Sequence, residues 1–196
     1  MSLDESLFFA VNGLVGKSSA VDQFFLSIGH PSTFYIPAAL AIGYWIWKSL
    51  REAIVGGAGL AAAVGLSDFL GGQLKWAFER VRPCNAFDTI ARIEASGCGG
   101  LFSFPSNHAI NTAAAAAFIH VLYPKSGWVS WPIVALIGFA RVYVGAHYVT
   151  DVLGGWIMGG AIGGGIAWLL LQWPTFRKKP EPTLSKVATN TEAGSS

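Results

Sequence analysis

The segment RVYVGAHYVTD, residues 141 to 151, places an arginine, a histidine and an aspartate among apolar residues. If a helix begins near His147, Asp151 lies four residues later on the same face, where its carboxylate can accept a hydrogen bond from one imidazole nitrogen. That bond would fix the tautomer and leave the other nitrogen as a base or nucleophile. Arg141 supplies a planar fork of donors suited to phosphate oxygens. The alternative for this segment alone is a buried His–Asp pair that ties two helices together.

The segment FPSNHAIN, residues 104 to 111, precedes a long Ala-rich apolar run. Pro105 followed by Ser106 and Asn107 is a typical helix start, and the free N–H groups and dipole of a helix N-terminus attract anions. An ordinary N-cap is the alternative interpretation of these three residues. It does not explain His108, because capping requires no imidazole at the start of a membrane helix.

The segment KWAFERVRP, residues 75 to 83, carries Lys75 and Arg82 seven residues apart, so both project from one face if the helix continues. By themselves, basic residues at the end of a span usually extend to the lipid headgroups. The residues singled out in the three segments are two histidines, one aspartate, the three cations Lys75, Arg82 and Arg141, and a helix N-terminus. This set suits phosphoryl transfer without a metal, because positive groups and N–H donors stabilise the equatorial phosphate oxygens.

In this order and spacing the segments resemble the three-part signature of the type 2 phosphatidic acid phosphatase family. The likeness covers Lys75 to Pro83, Pro105 to His108 and Arg141 to Asp151. It implies that His147 attacks phosphorus to give a phosphohistidine, oriented by Asp151, while His108 protonates the leaving oxygen and later activates water. It also implies a set of phosphate-binding residues: Lys75, Arg82, Ser106, Asn107 and Arg141. The scheme leaves no evident set of metal ligands, so we expect no metal and no cofactor.

Two positions depart from the family pattern. Asn107 stands where a glycine normally follows the serine, and Ala140 stands where a serine normally precedes the arginine. Asparagine tolerates unusual backbone angles better than most residues, so we expect the amide donor at Asn107 to survive. No role is carried over to Ala140, because alanine lacks the hydroxyl.

The composition indicates an integral membrane protein: 53% of the 196 residues are hydrophobic, only 12% are charged, and the mean hydropathy is +0.48. We predict an all-α bundle of about five transmembrane helices, near residues 32–49, 53–73, 108–123, 129–146 and 151–173. Residues 1–30 are predicted to form amphipathic interfacial helices, with a poorly formed first span as the alternative. Residues 31–174 would be the phosphatase domain and residues 175–196 a disordered cytoplasmic tail.

The distribution of basic residues predicts the orientation. One side of the predicted bundle carries Lys48, Arg51, Lys125 and the basic segment 177–179. The positive-inside rule makes that side cytoplasmic. The opposite side carries the three segments and a loop that is also basic, which anion binding would explain. We therefore expect a multi-pass protein of the cytoplasmic (inner) membrane, with its active site facing the periplasm or the cell exterior.

The only two cysteines, Cys84 and Cys98, fall in this outer loop. An even count in an oxidising compartment favours a disulfide, which would close a loop of about 15 residues and contribute roughly 3 kcal/mol through loop-closure entropy. Two free thiols are the alternative.

Other polar and small residues are interpreted more simply. Asp68 is a functional candidate as an intramembrane charge, although pairing with Lys75 or a helix end explains it as well. Asn111 is a candidate to orient His108. The glycines at 155, 159 and 163 are expected to pack within the bundle rather than at a dimer interface.

The resulting hypothesis is a bacterial membrane lipid phosphatase that hydrolyses a phosphomonoester or pyrophosphate of a lipid. The family resemblance implies as substrates phosphatidic acid, phosphatidylglycerol phosphate, a polyprenyl pyrophosphate or a phosphate of lipid A. The partners we expect are this lipid phosphate and the bilayer, with no nucleic acid and no required protein partner. A small membrane transporter or scaffold with a non-catalytic anion site is the alternative. It predicts ionisable residues near span centres, whereas most of these lie at one end.

Overall fold

The computed structural model describes residues 1–90, 98–173 and 176, and this part of the chain forms helices without a strand, apart from one isolated bridge between Val81 and Phe102. The predicted fold class, an all-α membrane bundle, is confirmed. The helices are α1 (Leu3–Asn12), α2 (Ser19–Gly29), α3 (Tyr35–Lys48), α4 (Leu50–Phe78), α5 (Pro83–Ala86), α6 (Asn107–Leu122), α7 (Gly127–Tyr143) and α8 (Val149–Leu171).

Each of the five predicted spans overlaps one long helix, α3, α4, α6, α7 or α8, but the number of spans stays a prediction. Among the described residues, α4 and α8 are long and apolar enough to cross a bilayer. The pair formed by α2 and α3 could count as a third span, although it bends by 77°. With 16 and 17 residues, α6 and α7 are shorter than a full crossing.

The end of α4 differs from the sequence expectation. Helix α4 ends at Phe78, and Glu79 follows in the left-handed conformation with φ of 47°. The helix therefore does not continue from Lys75 to Arg82, and the condition under which both would project from one helical face is not met. The chain instead extends to Arg82, whose N–H donates to the Leu101 carbonyl at 3.0 Å.

Helices α6 and α8 form the closest packing in the bundle. A Cβ atom at Gly159 would lie 2.0 Å from the Ile110 carbonyl oxygen, and one at Gly163 would lie 2.0 Å from the Ala114 carbonyl oxygen. Only glycine allows two backbones to approach so closely. The expectation that this face packs within the bundle is confirmed for Gly155, Gly159 and Gly163.

The N-terminal helices pack on the bundle beside the N-terminal end of α8. Asn12 donates to the Tyr143 carbonyl at 2.9 Å, and the Tyr143 hydroxyl donates to Asp22 at 2.6 Å. Phe8 is fully buried. Their position at the membrane surface stays a prediction. The predicted disordered tail, residues 175–196, lies outside the described residues except for residue 176.

A disulfide joins Cys84 and Cys98 in the loop between α4 and α6, and their Cα atoms lie 6.0 Å apart. Cys84 is the second residue of the short helix α5, which begins directly after Arg82. The bridge therefore ties the residues that follow the first basic segment to the part of the loop that leads back to α6.

Candidate active site

His147 and Asp151 lie where α8 begins. Helix α8 starts at Val149, so His147 belongs to the turn before it and not to the helix itself. Asp151 accepts the Tyr148 N–H through Oδ2 at 2.9 Å, and the same oxygen lies 3.6 Å from Nδ1 of His147. That distance is longer than a hydrogen bond. Both side chains are buried, with at most 2% of each exposed.

Arg82 fixes the protonation state of the other imidazole nitrogen of His147, Nε2. Its Nη1 lies 2.9 Å from Nε2 of His147 and 3.1 Å from the Ala146 carbonyl oxygen. An arginine N–H only donates, so Nε2 must be the acceptor and Nδ1 must carry the proton of a neutral ring. The Nε2 lone pair is thus directed at the guanidinium group, and the proton faces Asp151.

Burial lowers the pKa of the His147 imidazole to about 3. Asp151 opposes this shift by favouring the charged ring, whereas Arg82 and Arg141 add to it through their positive charges. Because the pKa lies far below neutrality, the ring is uncharged at physiological pH. A neutral imidazole is the form that can act as a nucleophile.

Lys75 and Ser106 hold the segment before α6. The Lys75 Nζ donates to the carbonyl oxygens of Pro105 at 2.5 Å and Ser103 at 3.4 Å. The Ser106 N–H donates to the Asp151 carbonyl at 3.1 Å, which joins the starts of α6 and α8. The Ser106 Oγ is buried and has no hydrogen-bond partner among the described residues.

The amide of Asn107 contacts a carboxylate rather than the centre of the site. Asn107 and Asn111 each donate from Nδ2 to Oδ1 of Asp68 at 2.9 Å. The Oδ1 of Asn111 has no partner in the described part of the chain, so the hypothesis that Asn111 orients His108 is wrong. The alternative for Asp68, a partner at a helix end, is what the structure shows.

His108 and Arg141 meet at the end of α2. The His108 ring faces the backbone of Gly29, and the charges of Arg141, Arg82 and Lys75 all act on it. A Cβ atom at Gly29 would lie 3.3 Å from Nη1 of Arg141. The buried Nε atoms of Arg82 and Arg141 have no hydrogen-bond partner within the described ranges. The structure thus brings the three predicted segments to one end of the bundle.

Sequence reasoning missed two charged residues that reach the site. Arg80 donates from Nη1 to Oδ1 of Asp151 at 2.7 Å and from Nη2 to Asp4 at 2.5 Å. Burial raises the pKa of Asp4, but hydrogen bonds from Thr150 and Arg80 outweigh it and hold that pKa below its ordinary value. Arg80 lies inside the first basic segment, which is a weak signal; nothing in the sequence marks Asp4.

An apolar cavity of about 610 Å³ opens beside His108, between helices α2, α3, α6 and α7. Its wall includes Asp68 at one end and Ile119 further along α6. In the described ranges, no three His, Cys, Asp or Glu side chains are grouped to hold a metal ion. Metal independence stays a prediction.

Comparison with known proteins gives the family. Residues 56–178 match the family model of the PAP2 superfamily. A lipid A 4'-phosphatase of Porphyromonas gingivalis is 28% identical over 173 residues, which cover 83% of this chain and 71% of that protein. An undecaprenyl-diphosphatase of Sulfolobus acidocaldarius is 33% identical over 91 residues, 46% of this chain and 43% of that protein.

A solved structure has the same fold. The crystal structure of a transmembrane PAP2-type phosphatidylglycerolphosphate phosphatase from Bacillus subtilis aligns with a TM-score of 0.66 and 26% identity, covering 89% of this chain and 87% of that one. The fold, the site and these relatives define a membrane lipid phosphatase. By its family match, the chain belongs to the PAP2 superfamily.

Proposed function

We propose that the enzyme forms a phosphohistidine at Nε2 of His147. The observation that carries this assignment is the 2.9 Å contact between Nη1 of Arg82 and Nε2 of His147. It makes Nε2 an acceptor with its lone pair exposed toward a phosphate-binding group. A phosphate that accepts from Arg82 would take over the donor and free the lone pair for attack.

The proposed reaction has two steps, formation of the phosphohistidine and its hydrolysis. The Nε2 lone pair forms a bond to phosphorus while the bond from phosphorus to the lipid oxygen breaks, and His108 gives its proton to that oxygen. His108 then takes a proton from water, the water oxygen bonds to phosphorus, and the electrons of the N–P bond return to Nε2. Asp151 faces the protonated Nδ1 throughout and stabilises the charge that the ring gains in the intermediate.

The cations and the start of α6 are proposed to hold the phosphate. Arg82 and Arg141 carry buried Nε atoms that lack partners among the described residues, as does the Ser106 hydroxyl. The Ser106 side chain makes no capping hydrogen bond to α6, so the first N–H groups of this helix, beginning with Asn107, are proposed to bind the anion. Lys75 already donates to two carbonyl oxygens, so it supports this segment and adds positive charge.

The cavity beside His108 is proposed to take the lipid chain. Its α6 wall runs from Asn107 to Ile119, roughly 18 Å at a helical rise of 1.5 Å per residue. One leaflet of hydrocarbon is about 15 Å thick, so the cavity suits a chain that stays in the bilayer while its phosphate enters the site.

We propose that the site faces the periplasm or the cell exterior, in the cytoplasmic membrane. Lys48 is the last residue of α3, Arg51 lies in the first turn of α4, and Lys125 lies between α6 and α7. Because α4 begins beside Arg51 and ends beside Lys75, these basic residues lie at the end of the bundle opposite to the site. The positive-inside rule then assigns their end to the cytoplasm.

The proposed substrate is a lipid phosphomonoester or diphosphate. The relatives are named for lipid A, undecaprenyl diphosphate and phosphatidylglycerolphosphate, which share a terminal phosphate on a membrane-anchored alcohol. The buried guanidinium groups of Arg82 and Arg141 and the N-terminus of α6 fit that terminal phosphate.

The test is phosphate release by the detergent-purified full chain from these three lipids and phosphatidic acid, with EDTA present. We expect release from at least one lipid and, with ³²P-labelled substrate, an acid-labile and alkali-stable phosphoenzyme. His147→Ala should abolish both signals, and His108→Ala should abolish most turnover.

His120→Ala is the matched control, since His120 lies on the same helix as His108 near its other end. We expect it to retain activity. A phosphoenzyme that persists in His147→Ala would contradict the assigned nucleophile. Phosphate binding without release from any lipid would instead favour a non-catalytic anion site.

A further inference from the structure

The carboxylate of Asp151 has two oxygens with different partners. Its Oδ2 accepts the Tyr148 N–H and faces Nδ1 of His147. Its Oδ1 accepts from Nη1 of Arg80 at 2.7 Å. The carboxylate is completely buried, so a charge-assisted bond of this kind determines how it is oriented. Arg80 therefore sets which oxygen is left for the histidine.

Arg80 is itself held from two sides. Its guanidinium carbon lies 4.0 Å from the centre of the Tyr148 ring, within cation–π range. Its Nη2 donates to Oδ2 of Asp4 at 2.5 Å, and its Nη1 also donates to the Thr150 hydroxyl at 2.7 Å. These contacts come from α1 and from the first turn of α8, which are distant in sequence.

Asp4 also binds the start of α8 directly. Its Oδ1 accepts the Thr150 N–H at 3.1 Å, and its Oδ2 accepts the Thr150 hydroxyl at 2.5 Å. Thr150 N–H is one of the first-turn donors that lack a partner within their own helix. Asp4 therefore satisfies a free donor of α8 while it binds Arg80.

The first turn of α1 is built to hold Asp4 in place. Ser2 and Glu5 form a reciprocal capping box, in which the Ser2 hydroxyl accepts the Glu5 N–H and the Glu5 carboxylate accepts the Ser2 N–H. One turn later, the fully buried Phe8 packs edge-on against Tyr148, with the ring centres 5.6 Å apart. The helix is thus anchored on both sides of Asp4.

We propose that Arg80 is a positioning residue for the phosphatase reaction and that Asp4, in the N-terminal helix, holds Arg80 for this purpose. The chain of contacts runs from Asp4 through Arg80 and Asp151 to His147. Arg80 keeps Oδ1 occupied, so that Oδ2 stays directed at Nδ1 while Nε2 bonds to phosphorus. This inference rests on the proposed role of His147 as the nucleophile.

A direct phosphate-binding role for Arg80 predicts different geometry and kinetics. Both terminal nitrogens of Arg80 already donate to acidic or hydroxyl oxygens of Asp4, Thr150 and Asp151. A phosphate ligand would mainly raise KM when it is lost. A positioning residue would mainly lower kcat, because a displacement of about 1 Å at the reacting group costs up to about 100-fold in rate.

The experiment measures kcat, KM and the rate of phosphoenzyme formation for full-length variants in detergent. We expect Arg80→Gln to lower kcat by about 10- to 100-fold with KM within about twofold. Asp4→Asn should lower kcat less, and Asp4→Glu should restore most of it. The double variant Asp4→Asn/Arg80→Gln should be no slower than Arg80→Gln, because asparagine keeps an oxygen for the Thr150 N–H and the effect of Asp4 on kcat is proposed to pass through Arg80.

The matched control is Glu5→Gln, which removes a charge from the same turn, while the glutamine oxygen can still accept the Ser2 N–H of the capping box. It should leave kcat unchanged. If it lowers kcat as much as Asp4→Asn does, α1 has only a general packing role and the proposal fails. If Arg80→Gln does not yield folded protein, the comparison of kcat between Asp4→Asn and Glu5→Gln tests the proposal. Arg80→Lys, which retains the charge, then replaces Arg80→Gln.

Failure of this proposal is distinguishable from failure of the proposed function. An inactive His147→Ala with normal kcat in Arg80→Gln and Asp4→Asn overturns only the positioning role. An active His147→Ala overturns the proposed mechanism. A rise in KM without a change in kcat in Arg80→Gln makes Arg80 a substrate-binding residue.

Discussion

Arg82 donates a hydrogen bond from Nη1 to Nε2 of His147 at 2.9 Å. The residue proposed to hold the phosphate and the nitrogen proposed to attack it are therefore direct neighbours. Because the guanidinium group can only donate, the contact selects the tautomer with its proton on Nδ1. Asp151 lies on that side of the ring.

Arg82→Lys should strongly impair the enzyme although it keeps the positive charge. Lysine cannot contact Nε2, the Ala146 carbonyl and a phosphate oxygen with one planar group. We expect kcat/KM to fall by about 100-fold, the loss typical for removal of one preorganised donor. The measurement is steady-state release of phosphate. Arg51→Lys, at the opposite end of α4, is the control and should behave like the parent; equal losses in both variants would contradict a specific role.

His147 should remain neutral between pH 5 and pH 8. Burial lowers its pKa to about 3, so the charged fraction at pH 5 is only about 1% and falls further as the pH rises. An acid loss of kcat/KM in this range must then come from another group. Nitrogen-15 NMR of histidine-labelled protein, with His147→Gln to assign the resonance, measures this state directly. A His147 resonance that titrates between pH 5 and pH 8 would contradict it.

Asp68 should support the start of α6 by accepting from both asparagines. Asp68→Ala removes the acceptor shared by Asn107 and Asn111. The first turn of α6 carries His108, so we expect kcat/KM to fall by up to about 30-fold, which corresponds to about 1 kcal/mol for each of the two lost hydrogen bonds. Asp68→Asn keeps an acceptor oxygen and should retain more activity.

Ser67→Ala is the matched control for Asp68, since the buried Ser67 hydroxyl has no partner among the described residues. It should have normal kinetics. Normal kinetics for Asp68→Ala as well would show that the Asp68 contacts do not affect the site.

The sequence could predict the elements that rest on local patterns. Hydropathy located the five bundle helices, and the spacing of His147 and Asp151 placed both side chains at the start of α8. The glycines at every fourth position predicted a close helix contact within the bundle, because their small size has a direct steric consequence.

The sequence could not predict contacts that depend on how distant elements pack. Arg80 binds Asp151, which is 71 positions away in the sequence, and Asp4, which is 76 positions away. Asn107 binds Asp68, which is 39 positions away. No periodicity or local spacing encodes such pairs. The end of α4 was also missed, because Glu79 adopts a left-handed conformation that residues other than glycine rarely take.

Gly159→Ala should lower the stability of the protein, whereas Gly160→Ala should not. A Cβ atom at Gly159 would meet the Ile110 carbonyl oxygen, whereas one at Gly160 would meet nothing within 4 Å. Overpacking of this kind costs about 1–3 kcal/mol, while an alanine in a helix gains up to about 1 kcal/mol over glycine. Thermal unfolding in detergent should therefore show a lower midpoint for Gly159→Ala and an unchanged or higher one for Gly160→Ala. The same loss in both variants would mean that helix α8 is sensitive to any added side chain rather than to its contact with α6.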